Sequence, residues 1–278
     1  SSPLTYDDFS FFFTDASLLA LNDAGTAILD PKLTLIASDD TLENTVTTLY
    51  FDIVADLDSG WEIKNQLFYE EYQNLNENAY GFSQFHDTYV IEDKLVFSNT
   101  YTFDNLIASV QLSPSIRYTD FEHGDDYRNE YFARRDLTGP STALDRRLLA
   151  TRIDDDYTEY YVGEYTNLGL AFLTDLSWEN GVSLLIGARH DRIDMESSTP
   201  VEKVLFPDPD DALEADDDVS GNSWTVSLSY DIANSGIIPY VTMSEQSTVI
   251  AGQGAELQVG NVAGGTAFDS SELTEFGV

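Results

Sequence analysis

The sequence predicts an all-β chain, an antiparallel up-and-down transmembrane β-barrel represented by about nine strands. Three observations predict it. Apolar and polar residues alternate over long runs, as side chains do across the two faces of a strand. Several of these runs exceed the roughly 5–6 residues of ordinary soluble strands and reach the roughly 9–11 that cross a bilayer. Short turns and long connections alternate strictly, which makes one short-turn rim and one long-loop rim.

Residues 1–44 are Asp-rich and aromatic without a period, so an irregular extracellular segment is expected, with the barrel portion running 45–278. In 47–57, Leu49, Phe51, Ile53 and Ala55 oppose Thr48, Tyr50, Asp52 and Val54. In 61–72, Trp61, Ile63, Leu67 and Tyr69 oppose Glu62, Lys64, Gln66 and Glu70. In 88–103, Tyr89, Ile91, Leu95, Phe97, Tyr101 and Phe103 share one face. In LIASVQLSPSIRYT (106–119), Leu106, Val110, Leu112 and Ile116 oppose Ser109, Gln111, Ser113, Ser115 and Arg117. Pro114 interrupts this run; lacking a ladder donor, it should mark a bulge or a locally unpaired site. Further strands follow near 160–177, 182–194, 224–231 and 237–247.

The short turns fall at Leu57-Asp58-Ser59-Gly60, Phe103-Asp104-Asn105, Trp178-Glu179-Asn180-Gly181 and Ala233-Asn234-Ser235-Gly236, all rich in the residues that tight hairpins demand. The long connections are expected near 74–84, 122–157, 197–221 and 248–269. Trp61, Trp178 and Trp224 are expected beside short turns or at strand ends, with Tyr69 and Tyr118 at the opposite ends, as in the aromatic girdles of a barrel.

The chain of 278 residues has no Cys, and 50 acids against 13 bases give a formal charge of −37. Phosphate binding needs a basic surface, so nucleic acid is not an expected partner. The aromatic content of 13% and the repeated β pattern argue against the disorder that such acidity otherwise suggests. No apolar run approaches the roughly 20 residues of a membrane helix.

Several phrases resemble one family. LLIGARHDRID (184–194) is similar to a Gly-x-Arg-aromatic-Asp strand phrase of TonB-dependent outer-membrane receptors, with His190 standing where the aromatic is usual. IIPYVTMSEQST (237–248) resembles the Pro-Tyr-x-x-x-Ser-Glu strand one hairpin later, and SSELTEFGV (270–278) the start of the strand after that. Residues 41–72 add a matching hairpin. The resemblance implies a 22-stranded barrel of the siderophore-receptor type, an N-terminal plug that engages TonB, and energised import of a ferric siderophore or similar nutrient. This chain, with no recognisable plug and an end within a strand, reads as an interior piece of such a barrel. The expected location is the outer membrane of a Gram-negative bacterium, among outer-membrane lipid and lipopolysaccharide.

No catalytic constellation stands out, no enzyme activity is expected, and no cofactor or resident metal is expected. His86, His123 and His190 are far apart in sequence and in no metal spacing. His190 should face away from Arg189 and Asp191, in an interfacial packing role. Arg117, Arg189 and Asp191 are expected on the lumen face in a structural role. Six of the 13 bases fall in 128–152, a stretch of net charge +3. Arg128, Tyr131, Arg134, Arg135, Arg146 and Arg147 are therefore the candidate ligand-binding residues, since guanidinium groups and aromatic rings suit anionic, planar ferric siderophores. The acidic run DPDDALEADDD (208–218) is expected to be a solvated loop, with Ca²⁺ as the lesser reading. A passive porin or a small complete barrel is the first alternative function. A soluble β-sheet binding or adhesin module, whose apolar face would be a core, is the second.

Overall fold

The computed structural model describes residues 41–77, 83–126, 157–204 and 213–278. These form one antiparallel sheet of nine strands whose spatial order is the chain order. The strands are β1 (Thr41–Asp56), β2 (Glu62–Glu77), β3 (Ser83–Thr102), β4 (Leu106–Asp126), β5 (Glu159–Trp178), β6 (Val182–Ser198), β7 (Glu214–Tyr230), β8 (Tyr240–Val249) and β9 (Phe268–Gly277). A short helix, α1 (Val259–Ala263), lies in the β8–β9 connection.

Tight turns set the register of the first hairpins. Leu57 N–H donates to the Trp61 carbonyl, and Gly60 has φ +85°, a conformation that side chains disfavour. Gly181 does the same at the β5–β6 turn, with φ +89°. From these turns the ladders run uninterrupted to the far rim, as from Asp56↔Glu62 to Thr41↔Glu77.

Alternation along each strand separates the two faces as the sequence predicts. One face carries Leu112 and Ile116 of β4, Leu168, Leu170 and Phe172 of β5, and Val226 and Leu228 of β7. These side chains are bare: Leu168 and Leu170 are about half exposed, at 50% and 52%. A soluble sandwich would bury this face. The other face is polar along most of its height and becomes a core only at the long-loop end. There Phe121, Tyr165, Ile193 and Met195 from the wall pack with Leu257, Val262 and Ala267 from the β8–β9 connection. Full burial of Leu257 and Val262 contributes about 1.5–3 kcal/mol each.

Pro114 proves to be a locally unpaired site and not a bulge. The β3–β4 register is the same on both sides of it, with Lys94↔Ser115 above and Phe97↔Leu112 below. The Ser113 hydroxyl donates to the Leu95 carbonyl at 3.0 Å, replacing the N–H that proline lacks. On its other side Pro114 keeps its place opposite Leu170, where no donor is required.

Two expectations need correction. Trp224 lies within β7, opposite Ala188, and not at a strand end. The reason is that β7 starts at Glu214, earlier than its apolar period. The acidic residues 214–218, expected in a solvated loop, are therefore strand. Backbone pairing with Asp194–Ser198 holds them, and composition does not report backbone pairing. The fourth connection also contains the five-residue helix α1.

Candidate functional site

A cleft of about 790 Å³ opens on the polar face of β3–β8, bordered by Lys94, Arg117, Tyr165, Asn167, Arg189 and Asp191. Register builds it. Arg117 of β4 stands opposite Asn167 of β5, and Asp191 of β6 stands opposite Gly169. Arg189 binds Asp191 through two nitrogens, Nε at 2.7 Å from Oδ2 and Nη2 at 2.7 Å from Oδ1. Its Nη2 also reaches Ser115 on β4 at 3.3 Å, crossing β5 to do so. Gly169 makes that crossing possible: a Cβ there would lie 2.1 Å from Nη2. Asp191 is buried, and this fork neutralises a carboxylate that would otherwise be costly in the wall. Arg117 is exposed to the cleft.

The β8–β9 connection, 250–267, roofs the outer end of this face. Thr88 Oγ1 donates to the Gly254 carbonyl and Ser197 Oγ to the Leu257 carbonyl. Ala255 adopts φ +65°, and Gly254 N–H donates to Glu256 Oε2 at 2.8 Å, which turns the chain sharply against the wall. At this contact His86 and His123 are direct cross-strand partners, with rings stacked 4.4 Å apart. His86 Nδ1 lies 3.6 Å from Glu256 Oε2. Burial, and secondarily His123, push His86 down to about 4 against the opposing pull of Glu256. These residues lie beyond the Tyr89–Tyr118 ring pair, toward the long-loop end, where the apolar face gives way to Asp87, Asp120 and Glu122.

Arg117, Arg189 and Asp191 thus lie on the polar face, and the structure joins Arg189 to Asp191. Arg128, Tyr131, Arg134, Arg135, Arg146 and Arg147 lie outside the described residues. His190 points to the apolar face, exposed, with Nδ1 3.0 Å from Asn222 Oδ1. Of the acidic run, Asp218 pairs with Arg192, Nε to Oδ1 at 3.1 Å. Sequence reasoning missed Lys94, Glu256 and the meeting of His86 with His123. The histidine pair has a readable signal: the turn that pairs Thr102 with Ile107 carries the same register up to His86 and His123. Glu256 has none, because its position depends on how the loop folds.

A family model described as "TonB dependent receptor-like, beta-barrel" matches residues 1–271. No curated protein matches the chain in sequence. Among solved structures, the ferric citrate transporter FecA in its unliganded form is similar with TM-score 0.61 at 10% identity, over 85% of this chain and 32% of that one. The ferric-catecholate import receptor Fiu of E. coli K12, in its closed form, gives TM-score 0.62 at 10% identity, over 88% and 38%. The siderophore receptor PiuA of Acinetobacter baumannii gives 0.59 at 14% identity, over 83% and 36%. The chain spans about a third of the length of these receptors.

Proposed function

The chain belongs to the TonB-dependent receptor β-barrel family, and on that premise we propose that it forms part of an outer-membrane receptor that imports a ferric siderophore or similar nutrient. Leu112, Ile116, Leu168 and Leu170 then face lipid, and Arg117, Arg189 and Asp191 face the lumen. The single observation that carries the reading is the loop-roofed cleft on the polar face, with Arg117 exposed inside it and Lys94 beside it.

The mechanism makes and breaks no bond in the cargo. Long loops, including Arg128, Tyr131, Arg134, Arg135, Arg146 and Arg147, capture an anionic ferric complex through charge-assisted hydrogen bonds and stacking. Arg117 and Lys94 hold it on the lumen side. The Arg189–Asp191 fork keeps the wall rigid. A plug coupled to TonB supplies the energised opening, in the outer membrane of a Gram-negative bacterium, with lipopolysaccharide around the long-loop rim.

The test uses the full-length protein in an iron-starved strain. Ferric siderophore uptake is expected to require the protein and to stop when a protonophore collapses the inner-membrane gradient. Uptake that continues without the gradient would favour the passive-porin reading. Arg117→Ala should lower affinity for an anionic ferric siderophore by about tenfold or more, the loss of one charge-assisted hydrogen bond. Unchanged affinity across an anionic panel would remove Arg117 from the site.

A further inference from the structure

We infer that His86, His123 and Glu256 form a binding site for a borderline divalent transition-metal ion such as Zn²⁺, and that this ion staples the β8–β9 connection onto the outer end of β3 and β4. The inference concerns a different place from the nutrient cleft and does not depend on import.

The donor atoms of the three residues lie within 4.8 Å of one another. Zn²⁺ takes nitrogen and carboxylate oxygen at about 2.0–2.2 Å, so tetrahedral ligands sit about 3.4 Å apart. The 3.6 Å between His86 Nδ1 and Glu256 Oε2 already meets that spacing. His123 Nδ1 lies 2.9 Å from the Phe85 carbonyl. A carbonyl only accepts, so Nδ1 carries the proton and Nε2 keeps its lone pair. An imidazole oriented in this way by a backbone carbonyl is the usual outer-shell arrangement of a metal-binding histidine.

His86 supplies the independent observation. It is 3% exposed, and neither ring nitrogen has a hydrogen-bond partner. A polar ring buried without a partner is destabilising, and a metal ion on Nδ1 would satisfy one of its two nitrogens. Gly254 packs directly on this ring, where a Cβ would lie 2.3 Å from Nδ1, so the loop is shaped to bring Glu256 close. Two imidazoles and one carboxylate favour Zn²⁺, Co²⁺, Ni²⁺ or Cu²⁺ over Ca²⁺ and Mg²⁺, which prefer all-oxygen shells. Three protein ligands leave one tetrahedral position for water. Glu256 comes from the loop and the histidines from the wall, so the ion would cross-link the two. The burial of both histidines, with Glu256 largely covered, suits a fixed staple better than a passing cargo.

The experiment titrates the metal-stripped full-length protein in detergent with Zn²⁺, with excess Mg²⁺ present to occupy exposed acids. One Zn²⁺ is expected to bind through the Mg²⁺ excess. His123→Ala should weaken it by at least about 100-fold, the upper end of what loss of even an outer-shell partner does. His190→Ala, on the opposite face, should change nothing. Co²⁺ in the wild-type protein should show the intense visible absorption of a four-coordinate site, which decides the matter even if His123→Ala fails to fold. Zn²⁺ should also slow proteolysis within 250–267 in the wild type and not in Glu256→Gln. Zn²⁺ binding that disappears in Mg²⁺, binding that survives His123→Ala, or a weak six-coordinate Co²⁺ spectrum would overturn the site. Unchanged proteolysis in the wild type would overturn the staple.

Discussion

At the scale of single residues, charge placement governs the rim above the apolar band. Asp120 stands directly opposite Glu164, with Asp87 and Glu122 nearby. Burial first, then these like charges, hold its carboxyl above the usual range. A carboxyl raised in the folded state binds its proton more tightly there than when unfolded. Its contribution is therefore favourable at acid pH and is lost as pH rises through the raised value. Asp120→Asn should accordingly stabilise the protein at neutral pH, by under about 1 kcal/mol because the site is largely solvated. The gain should vanish at pH below the ordinary carboxylate range. Unfolding by denaturant at both pH values checks this, and an equal gain at both would mean that charge repulsion is not the cause. Arg189 behaves in the opposite sense: Arg189→Ala leaves the buried Asp191 without its fork and should cost about 1–3 kcal/mol. Arg189→Lys should recover only part, since one ammonium cannot reproduce the two-nitrogen contact.

At the scale of the element, β4 shows how a strand accommodates a residue that the ladder disfavours. Pro114 removes a donor and Ser113 replaces it, so the two positions act as a unit. Ser113→Ala alone should cost about 0.5–1.5 kcal/mol, leaving the Leu95 carbonyl without its donor. In a Pro114→Ala background the backbone N–H returns, and the same Ser113 change should cost little. A double-mutant cycle by equilibrium unfolding measures that coupling, and additive losses would show that the hydroxyl does not stand in for the missing N–H. The alternation of β4 was readable because its two faces differ in polarity at nearly every step from Ala108 to Tyr118. The start of β7 was not readable. Its residues 214–218 are acidic on both faces, and only pairing with β6 makes them strand.

At the scale of the whole molecule, the wall and the roof are separate contributions. The nine-strand wall is built from neighbouring ladders, with short turns setting the register of β1–β2, β3–β4, β5–β6 and β7–β8. The roof rests on a few side chains, with Leu257 and Val262 buried against Phe121, Ile193 and Met195. Leu257→Asp should release the roof, a loss of more than about 2 kcal/mol of docking, while the ladders persist. Limited proteolysis should then cut within 250–267 with the far-UV circular dichroism unchanged. Loss of the β signal as well would show that wall and roof fold as one unit. By itself the sequence determined the number of strands, the short turns and the two faces, because period and turn chemistry are local properties of the chain. It determined the residues sharing the polar face, Arg117, Arg189 and Asp191, for the same reason. Only the tertiary structure decided that the apolar face is left bare, that Arg189 crosses over Gly169 to Ser115, and that Glu256 meets His86 and His123. Those facts depend on which distant segments come into contact, and contact at long separation leaves no period in the chain.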